Sequence, residues 1–338
     1  MPTVTAGGAP SGDKTNDRLG DRLRRWRRTR ATELVQQEAA RPRVDVRVVT
    51  DSTAYLPVSV VDQHHIEVIP LHVVVGGQEL VEGRDISAAQ VAAALREYTI
   101  VTTSRPSPAV FAEVYARLVD EGATHIVSVH LSSQMSGTYE AAGLAATEAS
   151  VPVEVIDSET IGMAMGFSVV AGAKVAAAGG ELEAVTAAVR ERLRPSGVLF
   201  YVDTLEHLRR GGRIGAASAL LGSALAIKPI LAVRGGRIMP VEKVRTSSRA
   251  VARIQAMVLE YVTKGGVMVD LAVHHLDADV RAEQIAEHLR SRLPGSPEVL
   301  VVELGAVVGA HVGPGTVAIA ISPRPGEPLP ASAAPPGP

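Results

Sequence analysis

HLSSQMSGTYEAAG, residues 130–143, joins two regular elements. The residues before it, ATHIVSV (123–129), are a short apolar and β-branched run, the pattern of a buried parallel strand. After it, EAAGLAATEA (140–149) is made of helix formers. Between them lie Ser132, Ser133, Ser136, Gly137 and Thr138. A strand that turns through Ser and Gly into a helix leaves unpaired backbone N–H groups aimed at one spot, with the helix dipole behind them, and this favours an anion. The hydroxyls add donors and are small enough for close approach. The same residues also suit an ordinary Ser/Thr N-cap, so the rest of the chain decides between the two readings.

Working outward, the unit repeats. VDVRVVTDST (44–53), the strand before TTSRPSP (102–108), and VPVEVIDSET (151–160) each read as an apolar run ending in hydroxyls. RDISAAQVAAALREY (84–98) and PAVFAEVYARLVDEG (108–122) supply helices between them, the first capped by Asp85 or Ser87. HHIEVIPLHVVVGG (64–77) gives one or two further strands, with a hairpin turn at Gly76-Gly77. Alternating strands and helices predict a mainly parallel α/β domain over 44–165, and such sheets bind ligands beyond their strand carboxyl ends. Four hydroxyl-rich ends are more than turn chemistry requires, which favours a binding site.

From IGMAMGFSVVAGAKVAAAGG (161–180) onward the pattern changes. ELEAVTAAVRERL, SSRAVARIQAMVLEYV and ADVRAEQIAEHLRSRL read as helices, and VLFYVDT, VMVDLAVHHL, EVLVVELG and TVAIAIS as strands. ASALLGSALAIKPILAV (217–233) reads as an apolar helix running into a strand, and RGGRIMPVEKVR (234–245) as a hairpin. An α+β domain over 166–322 follows. Residues 1–43 form a basic arm with DRLRRWRRTR at 21–30. It suits an acidic partner, an anionic membrane surface, or a solvated helix packed through Trp26. The Pro/Ala-rich tail, 323–338, is expected to be disordered.

Of the 338 residues, 46% are hydrophobic but only 3% aromatic, so the cores must be built from Val, Leu, Ile and Ala. A net charge of −2 argues against nucleic acid as the main partner. The absence of cysteine excludes disulfides and thiolate metal sites and fits a reducing compartment; with no membrane span or secretory signal evident, a cytoplasmic protein is expected. His311, in VVGAHVGPGTVAI (307–319), is expected on a glycine-bent loop facing a ligand. A Ser133–His311 nucleophilic pair would make a small esterase or phosphotransferase, but there is no G-x-S-x-G elbow. RRGGRIG (209–215) could cradle a phosphate but lacks P-loop spacing, and the pairs His64-His65 and His274-His275 would diverge on strands rather than hold a metal.

TDSTAYLP, IEVIPLHVVVGGQELVEGRDIS, TTSRPSP, HLSSQMSGTYEAA, VIDSET, VDTLEHLRRGGRIG, AIKPIL and GAHVGPGT follow one another as in the DegV family of fatty-acid-binding proteins, which the chain resembles over residues 46–322. The resemblance implies two domains with a ligand tunnel between them. It implies a long-chain fatty acid presented to a separate fatty acid kinase that forms the acyl phosphate, with no catalytic residue or cofactor in the carrier itself. Carried over, the carboxylate contacts are Thr103, Ser104, Ser132, Ser133 and His311, and Arg213 faces the kinase or the transferred phosphate. Arg105 departs from the glutamine-like residue expected there; it either strengthens carboxylate binding or points to solvent.

Overall fold

The computed structural model describes residue 3 and residues 44–220, 227–295, 297–324 and 326. The expected basic arm lies outside the described residues, as do most of the tail and residues 221–226 of the expected apolar helix.

Four strands make a parallel sheet in the order β2 (Glu67–Ile69), β1 (Val46–Asp51), β6 (His125–His130), β7 (Val153–Asp157). The near-continuous burial of β1 and β6 is that of strands covered on both faces. Alternation sorts their side chains. Val49 and Ile126 pack under helices α3 (Pro108–Asp120) and α4 (Thr138–Ala146), reached by Phe111, Tyr115, Ala141 and Ala145. Val48, Val127 and Val129 face α5 (Met163–Ala177) and α6 (Leu182–Leu193) through Met165, Val169, Val185 and Val189. The register sets Asp51 beside Ile69 and His130 beside Asp157, so the carboxyl ends of all four strands finish in one row.

A second sheet is antiparallel: β4 (Gln78–Val81), β3 (His72–Val75), β5 (Val101–Ser104). Gly76 and Gly77, with φ of 58° and 83°, make the β3–β4 turn expected from sequence. Here one expectation is corrected. Thr102–Ser104 is not a parallel-strand end; it pairs antiparallel with His72–Val74. Helix α2 (Ala88–Arg96) precedes this strand, its start fixed by a capping box in which Ser87 accepts from Gln90 N and Gln90 accepts from Ser87 N. Nor are His64 and His65 on a strand. His64 ends helix α1 (Val58–His64), and His65 follows with a left-handed φ of 50°.

The remaining strands form a six-stranded sheet in the order β10 (Arg237–Val244), β9 (Lys228–Arg234), β8 (Gly197–Tyr201), β13 (Val317–Pro323), β11 (Val269–His275), β12 (Val299–Glu303), antiparallel except for β11–β12. Helices α8 (Ser247–Gly265) and α9 (Asp279–Arg292) cover one face, where Ile254, Val258, Ile285 and Leu289 meet Leu199, Leu271 and Ile319. The opposite face presents Val198, Phe200, Val233 and Ala318 toward the other sheets. β13 runs through Pro323, one residue into the expected tail.

The chain changes sheet between Asp157 and Gly197, and α5 and α6 pack against strands of both sheets. Arg192 fastens α6 to the larger one: buried, it donates to Ser322 Oγ at 2.7 Å and pairs with Asp270. The described residues from Val44 onward form one compact unit.

Candidate functional site

The inner face of the six-stranded sheet, the antiparallel β3–β5 sheet and the loops after β1, β6 and β7 enclose a cavity of about 420 Å³. Its walls are aliphatic, with Leu71, Leu131, Val198, Val233, Leu304 and Val312 among them and Phe200 on the sheet side. Two polar groups stand among them. His274 Nε2 accepts from Met163 N at 3.0 Å, and burial pushes its imidazole down to about 4, so it is neutral at pH 7. Tyr55 meets the same ring edge-on, the centroids 5.8 Å apart.

The polar end is built from four segments. β5 delivers Thr103, Ser104 and Arg105, and the loop after β6 delivers Ser136 and Gly137. The turn after α7 (Glu206–Arg210) delivers Arg213, and α10 (Ala306–Val312) delivers His311. Thr103 Oγ1 lies 2.9 Å from His311 Nε2, and His311 Nδ1 is buried without a partner. Burial, with the charge of Arg213 second, pushes His311 down to about 4, so the ring is a neutral, single donor at pH 7. Glycine at 211 is what lets the ring lie there, since a Cβ would come 2.0 Å from His311 Nδ1. Arg213 ties two segments together, donating to Met135 O at 2.9 Å and Gly211 O at 2.6 Å. Arg105 lies across Gly137, where a Cβ would come 1.9 Å from its Nη1; it therefore faces the cavity mouth.

Of the residues expected at the head group, the structure brings Thr103, Ser104 and His311 to the cavity, with Arg213 beside them. The Ser104 hydroxyl also donates to Glu79. Ser132 and Ser133 are not in the cavity wall. Ser132 is fully buried; its N–H donates to Thr160 O at 3.0 Å and its hydroxyl to Gly236 O at 2.8 Å. Ser133 N donates to Asp157 Oδ1 at 3.2 Å. The loop closes a helical turn, with Ser136 N on Ser132 O, and this carries Ser136 rather than Ser132 or Ser133 to the cavity. The Ser133–His311 pair is therefore not formed. His311 is also not on a loop: it occupies the last turn of α10.

Sequence reading missed a buried chain of hydrogen bonds beneath the site. Asp51 Oδ2 meets His130 Nδ1 at 3.0 Å, His130 Nε2 meets Ser128 Oγ at 2.7 Å, and Tyr115 donates to Ser128 at 2.9 Å. The order of groups is that of a Ser-His-Asp triad, but Asp51, Ser128 and His130 have no exposed surface to offer a substrate. Asp51 also accepts from Thr53 N and Leu131 N, each at 3.0 Å, and so fixes the loops leaving β1 and β6. The pattern T-D-S-T facing S-V-H-L across two strands was visible, but pairing register is needed to bring them together. Among the described residues, no group of three His, Asp or Glu is arranged to hold a metal, and no helix is long and apolar enough to cross a membrane.

The DegV family model matches residues 45–324. A DegV domain-containing protein of Streptomyces coelicolor is 51% identical over 279 residues, 82% of this chain and 99% of the relative. The chain belongs to the DegV family. Two solved structures agree with its fold. A fatty-acid-binding DegV protein from Thermus thermophilus has a TM-score of 0.75 at 35% identity, over 83% of this chain and 100% of the other. The DegV fatty acid binding protein of Bacillus subtilis has a TM-score of 0.77 at 33% identity, with the same coverage.

Proposed function

We infer that this DegV protein binds one long-chain fatty acid and presents its carboxylate to a separate fatty acid kinase, which forms the acyl phosphate. The observation that carries the reading is a largely aliphatic cavity of about 420 Å³ whose wall also carries Thr103, Ser104, Ser136 and His311 together with two arginines, Arg105 and Arg213. An acyl chain is stabilised by leaving water for such walls, at roughly 0.8 kcal/mol per buried CH₂. Its carboxylate needs donors: the hydroxyls of Thr103 and Ser104, the neutral His311 ring, Ser136, and the guanidinium group of Arg105. The fatty-acid-binding relatives in the family add weight.

Ser132 and Ser133 serve this site by holding the loop that carries Ser136 and Gly137, through their backbone N–H groups and the Ser132 hydroxyl. In this reading the protein has no catalytic residue of its own and works without a cofactor. Arg213, exposed at the rim, is the group that meets the kinase or the phosphate being transferred.

The test is reconstitution with a fatty acid kinase and ATP. Loaded protein plus kinase should yield acyl phosphate, and Arg213→Ala should cut the yield at least tenfold while still retaining fatty acid. Turnover of ATP or of a chromogenic ester by the protein alone would replace the carrier reading with an enzymatic one.

A further inference from the structure

Two side chains in the wall of the lipid cavity carry polar atoms that have no hydrogen-bond partner among the described residues. They are Tyr55, in the turn after β1, and His274, near the end of β11. Their rings meet edge-on, 5.8 Å between centroids. His274 is 1% exposed, and Gly162 leaves room for its ring, since a Cβ there would come 3.0 Å from Nε2. The ring is neutral at pH 7 and its Nε2 accepts from Met163 N at 3.0 Å, so the proton sits on Nδ1. That Nδ1–H is buried and unpaired. The Tyr55 hydroxyl is buried and unpaired as well. Burial, with the charge of Glu82 second, holds the phenol well above its ordinary range, so it is a proton donor at pH 7. The Val302 carbonyl bears on the His274 ring, and the Gly305 and Val308 N–H groups bear on the Tyr55 hydroxyl, but none of them closes a hydrogen bond. The Thr316 hydroxyl on the same wall is by contrast engaged, donating to Gly313 O at 2.8 Å.

The two free donors lie apart from the head-group end. Tyr55 packs at the start of α10, where a Cβ on Gly305 would come 2.8 Å from its Cε1. His311 occupies the last turn of the same helix, about 9 Å further along the axis at about 1.5 Å per residue. Tyr55 also holds a left-handed backbone, φ 51° and ψ 37°, a conformation that costs a bulky side chain and is kept where its surroundings require it. A plain alkyl chain offers nothing to either donor, and a buried donor left unpaired is destabilising.

We propose that Tyr55 and His274 form a polar subsite within the lipid cavity that selects fatty acids carrying an oxygen, as a hydroxyl or a carbonyl, part-way along the chain. The inference rests on the fatty-acid reading of this cavity and adds the class of acid it takes. The ligand oxygen accepts from the Tyr55 hydroxyl and from His274 Nδ1–H, and both kinds of oxygen have lone pairs for two donors. A saturated acid of the same length meets the same aliphatic walls but leaves both donors unpaired. Discrimination therefore comes from the in-chain oxygen alone.

The experiment is a competition read by native mass spectrometry. The full chain, stripped of lipid, is incubated with equimolar stearic and 10-hydroxystearic acids and, separately, with stearic and 10-oxostearic acids; the bound acids are identified after denaturation. The wild type should take at least one oxygenated acid over stearic acid by about fivefold or more, and the two mixtures tell hydroxyl from carbonyl. Tyr55→Phe keeps the ring and removes the donor. His274→Gln supplies an amide oxygen to accept from Met163 N and has no group at the Nδ1 position. Each should bring the ratio to within about twofold of even, with an unchanged unfolding midpoint in Tyr55→Phe. Stearic acid bound as well as both oxygenated acids, or a preference that survives both substitutions, overturns the subsite and leaves the fatty-acid reading standing. A wild type that takes up none of the three acids overturns both.

Discussion

His311 and Asp51 show how individual groups divide the work. His311 is held neutral by burial and by Arg213, about 4 against an ordinary 6.5. A depressed histidine contributes stability that is fully present above the unfolded value and is lost as pH falls through the window from 6.5 toward 4. The wild type should therefore lose more stability across that window than His311→Gln does; equal losses in urea titrations would contradict the assignment. At pH 7, His311→Ala should weaken fatty-acid retention several-fold and leave the fold intact, as read by lipid content after gel filtration. Asp51 is different in kind, because it accepts from buried donors on three neighbouring residues and touches no ligand. Asp51→Ala should cost about 3–5 kcal/mol, measured by denaturant unfolding, and a cost below about 1 kcal/mol would remove it from its supporting role. At this scale the structure brings Thr103, Ser104 and His311 to the cavity wall and leaves Ser132 and Ser133 out of it. Which hydroxyl of S-S-Q-M-S-G-T faces inward depends on one helical turn, and that turn is set by bonds to Thr160 and Gly236, distant in sequence.

The element that composition concealed is α10. Seven residues bracketed and interrupted by glycine have poor intrinsic helix propensity, so A-V-V-G-A-H-V reads as a loop. Tertiary contacts override this: Ala306, Val307 and Ala310 pack with the parallel-sheet core, and Val312 packs with the six-stranded sheet. Glu82 holds the helix start, accepting from Val307 N at 2.8 Å and from the Ser52 hydroxyl. Burial raises the Glu82 carboxyl above its ordinary range, chiefly by desolvation. A raised carboxyl is most stabilising in its protonated state, and this contribution fades as pH rises through the folded value. Glu82→Gln keeps an acceptor for Val307 N and removes the buried charge. It should stabilise the protein at pH 8 more than at pH 4, with urea midpoints as the measure, and a loss at both would contradict this account. Elements with strong local signals were legible from sequence: a helix start was expected at Asp85 or Ser87 and falls at Ser87, and Gly76-Gly77 and Gly235-Gly236 marked hairpins. The segment 102–104 was misassigned because an edge strand of a small antiparallel sheet and the last residues of a parallel strand carry the same hydroxyl-rich pattern.

Across the whole molecule, three sheets are arranged so that their loops and inner faces close on one aliphatic space. Sequence order indicated the alternation in the first half and the change of pattern in the second. The enclosure itself was not legible, since it needs Phe200 and Val233 of one sheet to face Leu71 and Leu131 from the other side of the cavity. Nothing local in the chain records that meeting. The central claim is that this space holds one fatty acid, and native mass spectrometry of the purified full chain, followed by denaturation and lipid identification, tests it most directly. The account predicts the chain mass plus one long-chain fatty acid, released on denaturation, and a much reduced lipid-bound fraction in Ala318→Phe, whose ring would fill the space. A chain mass without lipid that persists after incubation with palmitate and oleate would contradict it.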